Sequence, residues 1–473
     1  MDSRSQIRDI ILDVERNCNV NNWKVNDIHL WPYIRIHLFF NLIDEIEIGK
    51  TTSSYKPGNK KNSKYIYRGF KKKIRKTLEC INSVFFFFNW IKNIPNRQTV
   101  FVSSNSFRVN YRNKRFNRFF DVLVEDEQAY SNYMYLEYGS TLTDQYKHEN
   151  VFKFGFALKG FLCTHIRKKT KLSLDGYDYF LSYLERYEYC KKFSNKFSKA
   201  YISQWAKTIF IPKVIFFKKI LRRISPKELI ILCYYTEDIY PLVAAANNLG
   251  VSTIEMQHGP QNKYHLAYGS WYAIPKTGYD ILPRIYWCWD DFSANEIKEW
   301  ADSNSIYSVE KYGNPWVDYW NKKSKSYISK DFILYTLQPL PIPLDVLLHN
   351  KILNIIKTSK KKWFIRLHPR QWNDKEKIKA ILEKHSLLDT VNVDVDNATV
   401  DPLPLLLANC SLHITYSSGS ALEASYFGVK TIFIDKMGLS YYPHLFRNKL
   451  AFLADFNSDD FTTTLEDYFK AID

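Results

Sequence analysis

The residues best suited to chemistry lie in the last third of the chain. Ser417-Ser418-Gly419-Ser420 follows the apolar run Leu412 to Thr415 and precedes a helical pattern that opens near Ser420. Small hydroxyl residues and Gly allow close backbone approach, and the N–H groups at a helix start favour phosphate. Glu423, one turn into that helix, can accept hydrogen bonds from a ribose diol. It also completes a capping box with Ser420. About fifty residues earlier, Arg366-Leu367-His368-Pro369-Arg370 closes another apolar run. A His at a strand end can donate to a phosphate oxygen, and Arg366 and Arg370 add positive charge. In mid-chain, Gln257-His258-Gly259 either faces the same ligand or forms a plain turn with Pro260. Glu237 and Asp238 are candidate general bases toward a hydroxyl, and both also suit the first turn of a helix. Glu125, Asp126 and Glu137 are competing carboxylates.

These residues need rigid strand ends to hold them. From residue 98 the pattern reads α/β. Short apolar runs are expected as strands at Thr99 to Val102, Tyr133 to Leu136, Glu228 to Tyr234, Val251 to Met256, Ile285 to Trp289 and Tyr307 to Tyr312. A second series follows: Phe332 to Leu337, Trp363 to Leu367, Val391 to Val395, Leu412 to Thr415 and Lys430 to Ile434. Helical patterns fall between them, which implies parallel, doubly wound sheets. Ligands of such sheets bind beyond the carboxyl ends of the strands, where the polar clusters lie. The expected organisation is a helical, basic extension over 1–97, a Rossmann-like acceptor domain over 98–320 and a Rossmann-like donor domain over 321–473. The site is expected in a cleft between the last two.

Composition narrows the partners. The chain has 473 residues, 45% hydrophobic and 25% charged, with 15 Gly and 17 Pro, which excludes mainly disordered or collagen-like architecture. The net charge of +18 favours an anionic partner. From Lys56 to Lys76 there are ten Lys or Arg and no acidic residue, a run suited to a solvated face or to an anionic membrane surface. Phe85 to Trp90 follows, and its aromatics suit either that membrane interface or, as the favoured expectation, the core. The seven cysteines are scattered and form no C-x-x-C, so reduced thiols and a cytoplasmic setting are expected. No apolar stretch is long enough for a membrane span. There is no P-loop, G-x-G-x-x-G, H-E-x-x-H or G-x-S-x-G pattern, and no metal constellation. His368, the arginines and the helix start are expected to neutralise a leaving phosphate without a metal.

His368-Pro369 followed by Ser417-Ser418 resembles the paired motifs of bacterial GT-B glycosyltransferases, above all those using CMP-activated sugars, such as sialyltransferases and capsule Kdo transferases. The resemblance implies that His368, Ser417 and Ser418 contact the CMP part of a donor. The segment Ser418 to Val429, with Glu423 and Gly428, is similar to the nucleotide-facing helix of GT-B enzymes. Gln257-His258-Gly259 and Gly313-Asn314-Pro315 are similar to first-domain segments of polysaccharide-synthesis transferases. The acidic motif of the sialyltransferases has no clear match, since Ile239 follows Glu237-Asp238. The implied activity is inverting transfer of a sugar to a bacterial surface glycan, such as O-antigen, capsule or lipooligosaccharide. It would occur at the inner face of the cytoplasmic membrane, with a nucleotide-sugar donor and no further cofactor. A CDP-glycerol-type polymer phosphotransferase has a similar layout. A nucleic-acid-binding protein fits the charge and the 16% aromatic content, but it has no need of the strand-end motifs, so no nucleic acid is expected.

Overall fold

The computed structural model describes residues 3–48, 69–111, 113–125, 130–139, 144–165, 169–272, 274–324, 331–339, 342–388 and 392–470. Most of the basic run from Lys56 and the carboxylate Asp126 lie outside these residues. The chain divides into two compact units, Ser3–Gly313 and Asn314–Asp473.

In the first unit, helices α1 (Ser3–Asn17), α2 (Trp31–Ile43), α3 (Gly69–Asn93), α4 (Gly155–Thr164), α5 (Ile211–Ile224), α6 (Ile239–Asn248) and α7 (Asp291–Ala301) surround a seven-stranded sheet. Its strands are β1 (Thr99–Ser104), β2 (Tyr133–Tyr138), β3 (Val151–Lys153), β4 (Glu228–Ile231), β5 (Ser252–Met256), β6 (Ile285–Cys288) and β7 (Ser308–Lys311). The order is β7-β6-β5-β4-β1-β2-β3, all parallel. The chain builds outward from β1 in one direction, then returns to β4 and builds in the other. The strand-order reversal therefore falls between β1 and β4.

The amino-terminal helices belong to this unit's core. Ile7, Ile10, Ile11 and Val14 of α1 are buried at helical spacing. Arg35 of α2 is buried and donates from Nε to Glu15 Oε1 at 2.6 Å. Its Nη1 donates to Leu266 O and its Nη2 to Ser270 O, the latter at 2.7 Å. Glu15 Oε2 accepts from Tyr272 N at 2.7 Å. A buried cation left unpaired is costly, so this many acceptors around one guanidinium is what burial requires.

One expectation holds in part here and one fails. Phe87 and Trp90 are buried, whereas Phe85, Phe86 and Phe88 are exposed, because four consecutive residues of a helix point to more than one side. Cys80 and Cys163 are paired as a disulfide rather than standing as two thiols. The pairing follows from the close packing of α3 against α4. A Cβ at Gly160 would collide with the backbone of Ser83, one helical turn from the two sulfurs.

The second unit repeats the architecture. Strands β8 (Phe332–Thr336), β9 (Lys362–Arg366), β10 (Val393–Asp394), β11 (Leu412–Thr415), β12 (Thr431–Phe433) and β13 (Ala451–Leu453) lie in the order β10-β9-β8-β11-β12-β13, all parallel. Its reversal falls between β8 and β11. All five residues of β8 are buried, Ile333 and Tyr335 toward one layer and Phe332 and Leu334 toward the other. Burial on both faces explains why this strand reads as a continuous apolar run. The helical stretch between β8 and β9 is broken into Leu344–Leu347 and Asn350–Thr358, since His349 is extended and caps the second piece. The two units are thus both doubly wound, Rossmann-type α/β folds.

Candidate nucleotide site

The parallel register sets the geometry of the second unit's strand ends. Thr336 pairs with Arg366 on one side and Thr415 on the other, and Thr415 pairs with Phe433. Two residues beyond that row stand Gln338, His368, Ser417 and Asp435. Their alignment needs no special sequence, only strands of matched register.

His368 opens a turn over Pro369–Asp374. Its Nδ1 accepts from Arg370 N at 3.1 Å, and its own N–H donates to Gln371 Oε1 at 3.0 Å. Pro369 stands at the first position of the turn, where no N–H is needed. With Nδ1 an acceptor, the neutral imidazole carries its proton on Nε2. Gln371 is buried and donates from Nε2 to Gln338 O at 2.6 Å. The side chain of Gln338 in turn accepts from Ser417 N at 2.6 Å through Oε1. One residue thus ties the His-Pro turn to the Ser turn, across the strand-order reversal between β8 and β11.

Beneath this row lies a polar interior. Thr336 Oγ1 is 3.0 Å from Ser420 Oγ and 2.9 Å from His413 Nε2, and His413 Nδ1 is 3.0 Å from Thr431 Oγ1. Burial pushes the His413 imidazolium down to about 3, so the ring is neutral at ordinary pH. The Ser420 hydroxyl is therefore an anchor of the loop. Ser418 is half-buried, with Oγ accepting from Ser420 N at 3.3 Å. The following helix spans Ser420–Tyr426 with Gly419 ahead of it and no side-chain cap, so the capping box between Ser420 and Glu423 does not form. Glu423 is buried on this helix. Arg366 donates from Nη1 to Ala398 O and Asp401 O, both at 2.6 Å, and Arg370 is exposed.

In the first unit, Gln257 is fully buried. It accepts from Trp289 N at 2.6 Å and donates to Ser293 Oγ at 3.0 Å, fastening the end of β5 to the first turn of α7. His258 lies beside Glu255, with Nδ1 3.5 Å from Oε1, and against the Cys233 thiol. Cys233 and Tyr234 donate their N–H groups to the Glu255 carboxylate at 3.2 and 3.1 Å, and Tyr268 donates its hydroxyl at 2.8 Å. Burial works against a charged His258, but its contacts with Cys233 and Glu255 outweigh it and raise the imidazolium to about 10. Burial pulls Glu255 toward its neutral form. The four donors around it favour the carboxylate, so we take the pair as ionised. Cys233 has φ of 63°, a left-handed backbone uncommon for a residue with a Cβ.

Glu237 and Asp238 lie between β4 and α6. Lys213 Nζ is 2.7 Å from Asp238 Oδ1 and 3.4 Å from Glu237 Oε1. The Glu237 side chain is 52% exposed and that of Asp238 35%. The competing carboxylate Glu137 is buried and accepts from Arg108 Nε at 2.6 Å. Arg108 Nη1 also lies 3.3 Å from Asp121, which accepts from Asn117 N at 2.6 Å. Among the described residues, no group of three or more His, Cys, Asp or Glu is arranged to hold a metal. No described helix is long and apolar enough to cross a membrane.

The structure thus brings His368, Ser417 and Ser418 to one end of one sheet, and Glu237, Asp238, Gln257 and His258 to strand ends of the other. Sequence reasoning missed Gln338 and Glu255. Gln338 directly follows the apolar run Phe332 to Leu337 and precedes Pro339, a position that marks the strand end. Glu255 lies inside a strand, and only a lone acid among apolar neighbours signals it.

No protein-family model matches the chain, and no curated protein matches it in sequence. Similar solved structures include the UDP-GlcNAc 2-epimerase from Methanocaldococcus jannaschii, at 12% identity and TM-score 0.45, covering 78% of this chain and 92% of that one. The UDP-GlcNAc 2-epimerase from Neisseria meningitidis bound to UDP-GlcNAc is 13% identical at TM-score 0.43, covering 79% and 91%. Medicago truncatula UGT71G1 complexed with UDP-glucose is 11% identical at TM-score 0.41, covering 79% and 90%. At such scores and identities the likeness assigns no activity to this chain.

Proposed function

We propose that the chain is a glycosyltransferase that takes a sugar from a nucleotide donor, with a CMP-linked sugar such as a Kdo- or sialic-acid-like donor favoured. The nucleotide is held at the carboxyl ends of β8, β9 and β11. The observation carrying this reading is the row His368, Gln338 and Ser417, locked together at a strand-order reversal, where doubly wound sheets bind ligands. His368 Nε2–H and the Ser417 and Ser418 hydroxyls are donors suited to phosphate oxygens. Gly419 permits close approach, and Glu423 takes the ribose diol. Arg370 adds exposed positive charge. Arg366 is committed to backbone carbonyls and supports the turn from below.

The acceptor is a growing bacterial surface glycan on a lipid carrier, recognised by the first unit. Its hydroxyl loses a proton to Glu237, the more exposed of the two candidate carboxylates, and the oxygen attacks the anomeric carbon. The bond from that carbon to the phosphate oxygen breaks with inversion. The negative charge left on the nucleotide phosphate is met by His368 and the serine hydroxyls, without a metal. Gln257 holds the strand end that presents His258, and the His258 imidazolium adds a positive group in the first unit. The basic surface favours a place on the anionic inner face of the cytoplasmic membrane.

The test is a thermal-shift and calorimetric screen with CMP, CDP, UDP and GDP, on the wild type and on His368→Ala and Ser418→Ala variants. Binding to the native state raises the melting temperature. CMP is expected to stabilise the wild type and to lose that effect in both variants. A response to UDP instead would replace the donor and keep the site. No response to any nucleotide, or equal responses in the variants, removes the reading.

A further inference from the structure

Helix α3 carries two apolar faces, and among the described residues only one of them is buried. Phe87, Trp90 and Ile94 are buried against the first unit. On the opposite side, Leu78, Ile81, Phe85 and Phe88 repeat at three- and four-residue spacing and are 56, 46, 72 and 54% exposed. Phe86 extends this face to α4 through a ring contact with Phe156 at 5.2 Å, and both are exposed. With side chains of about 200 Å² each, this amounts to on the order of 600 Å² of exposed apolar surface. That reaches the upper end of what an ordinary monomer shows.

The charge around this face has one sign. The α3 sequence holds six Lys or Arg and a single acidic residue, Glu79, which is paired with Lys159 of α4. Lys92, one turn past Phe88, is exposed on the same side as this face. Arg223 of α5 is exposed and donates to Lys92 O at 3.2 Å, which adds a second cation at that end of the helix. Aromatic and aliphatic side chains bordered by cations suit the boundary between anionic headgroups and acyl chains.

We infer that the outer face of α3 and α4 docks on an anionic lipid bilayer, with Phe85 and Phe88 entering the headgroup–acyl boundary and Lys92 and Arg223 facing the headgroups. This deepens the membrane part of the proposed function by naming the surface that makes contact. Vesicle binding is measured without donor or acceptor, so its failure leaves the nucleotide site untouched. An absent nucleotide response likewise leaves this surface untouched. The covalent tie between Cys80 and Cys163 joins the two helices of the face, which would let them enter as one piece.

The experiment is flotation of the full chain with vesicles of equal parts phosphatidylglycerol and phosphatidylcholine, and with phosphatidylcholine alone. The wild type is expected to float with the anionic vesicles and much less with the neutral ones. The Phe85→Ser/Phe88→Ser variant changes exposed positions only, and it is expected to need about tenfold more lipid for half-binding. Lys92→Glu tests the charge separately and is expected to weaken binding to anionic vesicles alone. Light scattering after size exclusion runs alongside. Absence of flotation by the wild type overturns the inference, as does equal flotation of the double variant. A stable dimer that the double variant dissociates also overturns it, since a second copy would then cover the face.

Discussion

Gln338 offers the sharpest test of how the second unit's strand ends are held. Gln338→Leu keeps the backbone carbonyl that accepts from Gln371 but removes the acceptor of Ser417 N–H. Ser417 is only 6% exposed, so its N–H is left largely without water. Such an orphaned donor costs about 1–3 kcal/mol. For a unit of this size that is roughly 2–12 °C in melting temperature. Gln338→Glu keeps an acceptor for the same N–H and should leave the turn in place. It also sets a carboxylate beside the proposed phosphate. At a separation of about 6 Å and an effective dielectric of about 20, the repulsion is about 2.8 kcal/mol, or roughly a hundredfold in affinity. Calorimetric unfolding and nucleotide titration of the two variants read the effects separately. The Leu variant is expected to lose stability and affinity, the Glu variant affinity alone. If Gln338→Leu melts with the wild type, the bond to Ser417 does not hold the turn. If Gln338→Glu binds nucleotide as tightly as the wild type, the phosphate does not sit on this row.

Two further outcomes concern stability. Arg108→Met leaves Asp121 and Glu137 buried opposite no guanidinium, and urea unfolding is expected to show a loss of about 3–5 kcal/mol. A loss below 1 kcal/mol would mean that the cluster is a minor contributor. The second outcome is acid sensitivity. Burial depresses His37 to about 4 and His265 and His413 to about 3, from 6.5. Below 6.5 the unfolded chain takes up protons that the folded chain refuses. The stability from these groups is therefore complete above that pH and falls as pH drops toward 3. Melting temperature is expected to decline from about pH 6.5 downward, ahead of the carboxylate range. A flat profile between pH 6.5 and 5 would contradict this.

Much of the scaffold was legible because parallel strands buried on both faces are written as short apolar runs, as in Phe332 to Leu337 and Leu412 to Thr415. Their ends were less sharp. The run expected to reach Tyr234 stops at Ile231, because the backbone turns at Cys233 into a left-handed conformation. What joins distant strand ends was hidden. The bond from Ser417 to Gln338 spans 79 residues and that from Tyr234 to Glu255 spans 21, and neither leaves a periodic trace. The capping-box pattern at Ser420 was misleading for a local reason: its hydroxyl turns inward to Thr336 and His413. The two-faced helix α3 shows another limit. Apolar spacing reveals that a face exists, but not whether protein covers it. The Cys80–Cys163 pair has a separation of 83 residues and no motif.

The clamp formed by Glu15 and Arg35 bears on the order in which the protein matures during synthesis. Its amino-terminal half is made first, yet the N–H of Tyr272 that meets Glu15 comes 257 residues later. The carbonyls of Leu266 and Ser270 that receive the guanidinium arrive about as late. Until then a cation and a carboxylate in the heart of the first unit lack their full set of partners. The leading helices must therefore wait on the ribosome, and the first unit closes only once most of its own length has emerged.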